Sequence, residues 1–256
     1  MKASRWFMKP DLTIEKHVYF PKNDKGIDFF VGDIHGELRK LMLLLKKINF
    51  NFSKDRLFAT GDLIDRGEDS LECLKLTNKK WFFSVLGNHE QFLLEAEDNH
   101  AYKKMVWEKN GGRWFYELCD EDKQISKQLA NDNLCLSLTV NTLRGDVGVI
   151  HGEYPFQFWP IKDGSPLNEQ SIRKILWGRD IVKAKLENYT KGVELIISGH
   201  TSIETPILLG NQVFVDTGCG YSPRKNLYTP HLTICEVKGK SLKFYRSDEQ
   251  VKEIPF

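Results

Sequence analysis

The sequence contains no long apolar run, no pair of neighbouring cysteines and little net charge. No apolar stretch approaches the ~18 residues that a membrane helix needs, and Met1–Arg5 leads into no apolar core of the kind found in a signal peptide. The five cysteines lie singly, at Cys73, Cys119, Cys135, Cys219 and Cys235. Isolated cysteines in odd number argue against a zinc knuckle and favour a reducing compartment. We therefore expect a cytoplasmic protein.

The charge balance argues against two classes of partner. Lys and Arg number 37, Asp and Glu number 35, and the net charge is +2. Nucleic acids and anionic membrane surfaces are usually bound by clustered basic residues, so we expect neither as a partner. The content of 41% hydrophobic and 28% charged residues is typical of a soluble globular protein.

The chain shows no linker, internal repeat or low-complexity segment that would divide it. Its 256 residues are enough for one large core. We expect one domain over residues 1–256, with residues 1–26 as an N-terminal extension that includes an edge strand at His17–Phe20. A helical insertion is expected at residues 91–131, and its aromatic residues, Trp107, Trp114, Phe115 and Tyr116, are predicted to lie in the core.

The stretch Gly61–Gly67 places two carboxylates and a guanidinium directly after an apolar strand. Leu57–Thr60 is predicted to be that strand, and Asp62, Asp65 and Arg66 follow it. Ligands of open α/β sheets bind beyond the carboxyl ends of strands. Taken alone, such a carboxylate more often caps the helix that follows, here predicted at residues 68–76.

The same pattern occurs at four further strand ends. Each apolar segment is followed by glycine and by side chains that can bind metals or transfer protons: Asp33 and His35, Asn88 and His89, His151, and His200. These positions include four of the seven histidines. Together with Asp62 they form a mixed nitrogen and oxygen set that is too large for one tetrahedral zinc. The set fits two metals ~3.5–4 Å apart, with one carboxylate bridging them.

The order of these motifs along the chain resembles that of a known family. The ordered motifs resemble the signature of the PPP-type metallophosphoesterases, a superfamily that includes the serine/threonine protein phosphatases: Gly32–Gly36, Gly61–Gly67, Gly87–Glu90, His151–Gly152 and Gly199–His200. Further local matches are most similar to the compact phage lambda-type and bacterial protein phosphatases: Asn110–Gly112, Tyr154–Pro155, Trp177 with Arg179, and Asp216–Gly218. The resemblance covers residues 29–237 and places the protein in a bacterial cytoplasm, or in a host cytoplasm if a phage encodes it.

The resemblance implies a role for each matched side chain. Asp33 and His35 would hold the first of two divalent metals, Asp62 would bridge, and the second metal would be completed by Asn88, His151 and His200. Manganese is favoured, with iron or zinc as alternatives. A hydroxide held by the metals would attack phosphorus in line, without a phosphoenzyme.

Four other residues would serve the substrate. Arg66 and Arg179 would bind the phosphate. His89 would act as the general acid that protonates the leaving group, and Asp65 would orient its imidazole. Glu90 receives no role, and Asp216 is interpreted mainly as part of a turn.

The implied fold is the calcineurin-like metallophosphoesterase fold of the α/β (α+β) class. It consists of a central β-sandwich of mixed sheets flanked by helices, with a helical subdomain around residues 91–131. The first half of the chain predicts mostly parallel pairing. Three strands near the C-terminus are predicted to form an antiparallel meander, at Val213–Val215, Leu232–Val237 and Ser241–Tyr245.

Three functions remain open from the sequence. The first is a metal-dependent phosphatase acting on phosphoserine and phosphothreonine in proteins and peptides, with phosphotyrosine and small phosphate monoesters as further candidates. The second is a symmetrical diadenosine tetraphosphate hydrolase, a relative that usually has alanine at the position of Asp65. The third is a non-catalytic binding module. The sequence does not specify the oligomeric state.

Overall fold

The secondary structure alternates between strands and helices in the first half of the chain and is richer in strands afterwards. The computed structural model describes residues 14–96, 101–161, 167–222, 229–248 and 250–256. Its strands are β1 (Glu15–Phe20), β2 (Asp28–Val31), β3 (Arg56–Ala59), β4 (Phe82–Val85), β5 (Leu134–Thr142), β6 (Gly145–Ile150), β7 (Leu195–Ser198), β8 (Ile207–Leu209), β9 (Gln212–Phe214), β10 (Thr233–Lys238), β11 (Ser241–Arg246) and β12 (Val251–Pro255). Its α-helices are α1 (Leu38–Lys47), α2 (Ser70–Lys75), α3 (Asn88–Leu94), α4 (Ala101–Lys109), α5 (Arg113–Glu117), α6 (Asp120–Asn133), α7 (Glu169–Trp177) and α8 (Asp180–Ala184).

The strands form one continuous hydrogen-bonded path. Its order is β12-β11-β10-β2-β3-β4-β5-β6-β7-β9-β8, and β1 pairs with β5 beside this path. Strands β2 to β5 run parallel, as do β6, β7 and β9, whereas β5 and β6 are antiparallel. The carboxyl ends of β2, β3 and β4 therefore lie at the same edge of the sheet.

The path curls so that its two halves face each other. Alternate residues of β2, β3, β6 and β7 belong to one buried cluster, which includes Phe30, Phe58, Val149 and Ile197. Their neighbours along each strand belong to a second cluster, shared with α1, α2 and α7. Because side chains alternate between the two faces of a strand, one face contacts the opposite half of the sheet and the other face contacts helices. This confirms the predicted α/β class, with a central sandwich of mixed pairing flanked by helices.

The predicted C-terminal meander is wrong in one respect. Strand β9 pairs in parallel with β7, far along the path from β10, which is antiparallel to β2. The antiparallel meander consists of β10, β11 and β12. The short apolar segment at Val213–Val215 carries no signal for its partner, because a strand buried on both faces has no alternating pattern to orient it.

The helical stretch expected around residues 91–131 is confirmed as α3 to α6, although α3 already begins at Asn88. The loop predicted around Asp163–Pro166 lies outside the described residues. Within the described ranges, no helix combines the length and apolarity that crossing a bilayer would require.

Strand β1 is held to β5 by a chain of hydrogen bonds through His17. Trp159 Nε1 donates to Thr139 Oγ1 at 2.7 Å, and Thr139 Oγ1 lies 3.0 Å from His17 Nε2. His17 Nδ1 lies 2.9 Å from Ser137 Oγ, whose hydroxyl donates to the Lys16 carbonyl at 3.0 Å. Since each hydroxyl has one proton, the chain is complete when His17 is neutral with its proton on Nδ1. Burial lowers the pKa of His17 to about 4.

We expect the free energy of unfolding to fall between pH 6.5 and pH 4 partly because of His17. In this pH window His17 is protonated in the unfolded chain but neutral in the folded chain. The unfolded state therefore binds more protons, and acidification favours unfolding. A His17→Gln variant should be less stable at pH 7 and should lose less stability on acidification than the unchanged protein. Urea unfolding at several pH values gives the change in the free energy of unfolding per pH unit for both proteins. Equal slopes in the two proteins would contradict the predicted contribution of His17.

Candidate active site

Five of the predicted site residues adopt a left-handed backbone conformation, which is rare for residues other than glycine. The φ angles are 48° at His35, 49° at Asp62, 74° at Asp65, 71° at Arg66 and 65° at His200. Such conformations cost about 1–3 kcal/mol each and persist where surrounding contacts enforce them. Their concentration in the strand-exit loops marks these loops as the functional region of the molecule.

Asp62 lies at the centre of the converging side chains. Its Oδ2 is 3.7 Å from His35 Nε2, and its Oδ1 is 3.4 Å from His151 Nε2. The amide oxygen of Asn88 lies 2.9 Å from the same His151 nitrogen. All of these side chains are buried. The structure thus gathers at Asp62 the residues for which the resemblance implied metal binding.

Two groups of potential ligand atoms share the Asp62 carboxylate. One contains His35, Asp62 and His89, the other contains Asp62, His151 and His200, and within each group the ligand atoms lie within 4.8 Å of one another. The Nε2 atom of His200 is buried and has no hydrogen-bond partner among the described residues. A buried, unpaired imidazole nitrogen beside a carboxylate fits a bound cation better than a packing role.

Asp33, which the resemblance assigns to the first metal, belongs to neither of these groups but contacts His200 of the second. Its carboxylate accepts hydrogen bonds from the backbone N–H of His200 at 3.1 Å and from the Thr60 hydroxyl at 3.1 Å. Burial, and then the charges of Asp216 and Asp62, raise the pKa of Asp33 well above its ordinary value. Three buried carboxyl groups this close together are unfavourable without compensating positive charge.

The histidines are poised as neutral ligands. Burial lowers the pKa of His35, His151 and His200, so their imidazoles keep a free lone pair near neutral pH. The pKa of Asp62 lies below its ordinary value, because the nearby histidines outweigh the opposing effect of burial. His35 Nδ1 and His151 Nδ1 bond the backbone carbonyls of Ile64 and Thr60, which leaves Nε2 of each ring directed into the site. Imidazole, carboxylate and amide oxygens together fit a dinuclear metal site.

His89 differs from the other histidines. Its Nδ1 lies 2.5 Å from Asp65 Oδ2, and its Nε2 lies 3.8 Å from Asp62 Oδ2. Burial lowers the pKa of His89, but the charge of Asp62 and the hydrogen bond that His89 donates to Asp65 outweigh it, so the net shift is upward. A histidine with one nitrogen on a carboxylate and a raised pKa can carry a proton near neutral pH, which suits an acid.

Asp65 also receives hydrogen bonds from the helical segment. Trp107 Nε1 donates to Oδ2 and Trp114 Nε1 donates to Oδ1, each at 2.6 Å. Sequence reasoning placed both tryptophans in the core. Trp107 is indeed buried there beside Phe115, but helical periodicity gives no signal for where an indole N–H points.

Glu90 is a site residue that sequence reasoning left without a role. Its Oε2 accepts backbone hydrogen bonds from Asp62 and Gly87, both at 2.9 Å, and its Oε1 accepts one from Leu63 at 2.8 Å. Glu90 thereby joins the loop after β3 to the start of α3. Glu90 is the third residue of α3, and its bond to the Gly87 N–H is the half of a capping box that a glycine N-cap allows. That spacing could indicate the contact with Gly87 from sequence, but not the contacts with the loop after β3.

We expect Glu90→Ala to lower the free energy of unfolding by at least about 2 kcal/mol, because four buried N–H groups, those of Asp62, Leu63, Ile64 and Gly87, lose their acceptor. Glu90→Gln keeps one acceptor oxygen, so its free energy of unfolding should lie between those of the alanine variant and the unchanged protein. Urea unfolding measures the loss, provided that the dependence of the free energy on urea concentration is the same in both proteins. If the alanine variant is as stable as the unchanged protein, the carboxylate does not anchor the loop.

The two arginines lie at the same site. The Arg66 guanidinium stacks on the Tyr221 ring at 3.9 Å, lies 3.2 Å from His89 Nε2 and contacts His35 Nε2. Arg179 is half-buried, and its charge contributes to the lowered pKa of His151 and His200. Arg66 therefore contacts the proposed metal ligands, whereas Arg179 is near enough for its charge to act on them.

The loop Asn110–Gly112 packs on the catalytic side of the sheet. A Cβ atom on Gly111 would lie 2.5 Å from the Arg66 backbone nitrogen, and one on Gly112 would lie 2.3 Å from Trp107 Nε1. Gly111 also has a φ of 105°. These positions require glycine because the loop approaches Arg66 and Trp107 too closely for a side chain.

The fold and this site together define a metallophosphoesterase. The model of the calcineurin-like phosphoesterase family matches residues 29–204, and the chain belongs to that family. It is 33% identical over 194 residues to serine/threonine-protein phosphatase 2 of Salmonella typhimurium, covering 73% of this chain and 85% of that protein.

Other similarities point to a second branch of the family. The symmetrical bis(5'-nucleosyl)-tetraphosphatase of Actinobacillus succinogenes is 38% identical over 117 residues, covering 43% of this chain and 42% of that protein. The crystal structure of a putative diadenosine tetraphosphatase superposes with a TM-score of 0.57 at 20% identity, covering 94% of this chain and 98% of that one. At this identity the superposition establishes the fold alone.

Proposed function

We propose that the protein is a metal-dependent phosphoprotein phosphatase that hydrolyses phosphoserine and phosphothreonine in proteins and peptides. The observation that carries the proposal is the buried Asp65–His89 pair, with an Nδ1–Oδ2 distance of 2.5 Å beside the candidate metal ligands. Release of a serine or threonine alkoxide requires a proton, and this pair can supply one. The long match to bacterial serine/threonine-protein phosphatases supports the same substrate class.

Two divalent cations, manganese by resemblance, would be held by the six residues Asp33, His35, Asp62, Asn88, His151 and His200. Such cations lower the pKa of an attacking water and neutralise phosphate charge. The donor set fits them because it combines buried carboxylates, neutral imidazoles and an amide oxygen.

The chain's own residues then position the phosphoryl group. Arg66 and Arg179 offer planar donor pairs that match two phosphate oxygens. His89 Nε2 faces the site and gives its proton to the leaving oxygen, while Asp65 holds Nδ1 and fixes the ring. The same arrangement accepts phosphotyrosine and small monoesters, whose leaving groups depend less on this proton.

The alternative is symmetrical hydrolysis of diadenosine tetraphosphate. It is favoured by the 38% identity to a curated bis(5'-nucleosyl)-tetraphosphatase over part of the chain. That reaction displaces a phosphate group instead of an alkoxide, and it depends less on an acid because a phosphate is a better leaving group. The presence of Asp65 beside His89 therefore favours the phosphatase.

A side-by-side assay separates the two functions. With manganese present, we expect phosphate release from phosphoserine and phosphothreonine peptides and weaker cleavage of diadenosine tetraphosphate at equal concentration. A chelator should abolish both. Efficient cleavage of the dinucleotide alone would replace the proposed function with the alternative, and inactivity on both with manganese, iron and zinc would exclude an enzyme of either kind.

A further inference from the structure

We propose that Trp107 and Trp114 are positioning residues that act on catalysis through Asp65. This inference rests on the proposed function, because it concerns the acid His89. It assigns to the helical segment α4–α5 a task in the reaction beyond packing.

The hydrogen bonds around Asp65 leave its carboxylate only one orientation. Oδ1 accepts from Trp114 Nε1, and Oδ2 accepts from both Trp107 Nε1 and His89 Nδ1, at 2.5–2.6 Å. The carboxylate is fully buried, so water does not compete for these bonds. Indole N–H groups are donors only, so neither tryptophan can exchange roles with the imidazole.

The backbone of Asp65 gives a reason why such support is needed. Asp65 and Arg66 are consecutive left-handed residues, with φ angles of 74° and 71°. A loop of this kind does not by itself hold a side chain in one orientation. The backbone of Asp65 donates to the Ser70 hydroxyl and accepts from the Gly67 N–H, both at 2.9 Å, and neither bond fixes the carboxylate. The two indoles supply the remaining constraints from a different part of the chain, 42 and 49 residues away.

The segment between the tryptophans is shaped to reach this loop. Gly111 lies against the Arg66 backbone, whose N–H bonds the Gly111 carbonyl at 3.4 Å, and Gly112 lies against the Trp107 ring. Trp107 also packs on Phe115 with ring centroids 5.1 Å apart, which restricts the indole. A buried structural tryptophan also needs an acceptor for its indole N–H, as Trp159 has in Thr139. Trp107 and Trp114 differ because both direct this N–H at one carboxylate, that of the proposed acid pair.

The first test is a double-mutant cycle with Trp114→Phe, which removes the N–H from a partly exposed ring. On a phosphoserine peptide we expect kcat to fall about tenfold to a hundredfold with little change in KM, as for loss of a hydrogen bond to a charged group. On p-nitrophenyl phosphate, whose leaving group needs no proton, the fall should be much smaller. In a His89→Asn background the same substitution should have almost no further effect.

Trp159→Phe is the matched control, because Trp159 is buried like Trp107 and donates through Nε1, at 2.7 Å, to Thr139 instead of Asp65. Trp107→Phe should behave as Trp114→Phe does. The inference is overturned if Trp114→Phe slows both substrates equally, if its effect persists in the His89→Asn background, or if Trp159→Phe produces the same pattern.

A second measurement does not depend on activity. In a ¹H–¹⁵N spectrum, the indole N–H signals of Trp107 and Trp114 should exchange slowly with solvent and should shift on Asp65→Asn, while that of Trp159 should not. If the signals respond but no phosphoester is cleaved, the contact stands and the proposed function fails. If they do not respond in an active phosphatase, the inference fails and the proposed function stands.

Discussion

Replacing His89 by asparagine is expected to lower kcat on a phosphoserine peptide by roughly 10²–10⁴-fold while leaving metal binding intact. The geometry gives the reason: Nδ1 is occupied by Asp65 at 2.5 Å, and the raised pKa of the imidazole suits an acid. The loss should be far smaller on p-nitrophenyl phosphate. Steady-state kinetics gives kcat on both substrates, and the metal content of the same samples shows whether metal binding is unchanged.

The same substitution decides between two roles for His89. Its Nε2 also lies among potential ligand atoms with His35 and Asp62. A ligand would take a metal ion with it when replaced, whereas an acid would not. The matched variant is Asp65→Asn, which keeps His89 and removes its carboxylate partner, so it should show the same dependence on the leaving group. Loss of a metal ion on His89→Asn would identify His89 as a ligand.

The second large effect concerns metal removal. Manganese at about one hundred times its dissociation constant should stabilise the protein by about 2.7 kcal/mol for each bound ion, and each ion should then raise Tm by roughly 5–10 °C in a chain of this size. Burial, and then repulsion from Asp216 and Asp62, raise the pKa of Asp33, and bound cations should offset both effects. The Asp62→Asn variant should lose most of this rise and its activity.

Thermal unfolding of chelator-treated protein, with and without manganese, measures the shift. Asp55→Asn is the matched control, because Asp55 is also buried and accepts backbone hydrogen bonds from Ile27 and Asn51, at 2.8 and 2.7 Å, away from the site. This control should have a lower baseline Tm but the full metal-induced rise. An unchanged rise in Asp62→Asn would show that this carboxylate is not the shared ligand.

Much of the site could be predicted because its residues share a simple pattern. Glycine and a polar side chain follow an apolar strand at Asp33, Asp62, Asn88, His151 and His200, and parallel pairing brings several of these ends together. That part of the prediction depends only on local order along the chain.

The remaining contacts depend on which groups meet in three dimensions. Trp107 and Trp114 follow the periodicity of core residues, and nothing in that periodicity specifies that their N–H groups meet Asp65. Likewise, the short strand β9 contains no signal that its partner is β7 and not β10. Side-chain polar atoms and strand partners are set by tertiary packing, which the local pattern does not determine.

The backbone N–H of His200 bonds the carboxylate of Asp33 across 167 residues of sequence. A chain that is still being synthesised and has not yet exposed β7 lacks both His200 and the strand that supports it. Such a chain contains Asp33, His35, Asp62 and Asn88, but the proposed set of metal ligands is complete only after His200 has been added. If the proposed function is correct, a fragment that ends before His200 should bind fewer metal ions than the whole chain and should be inactive.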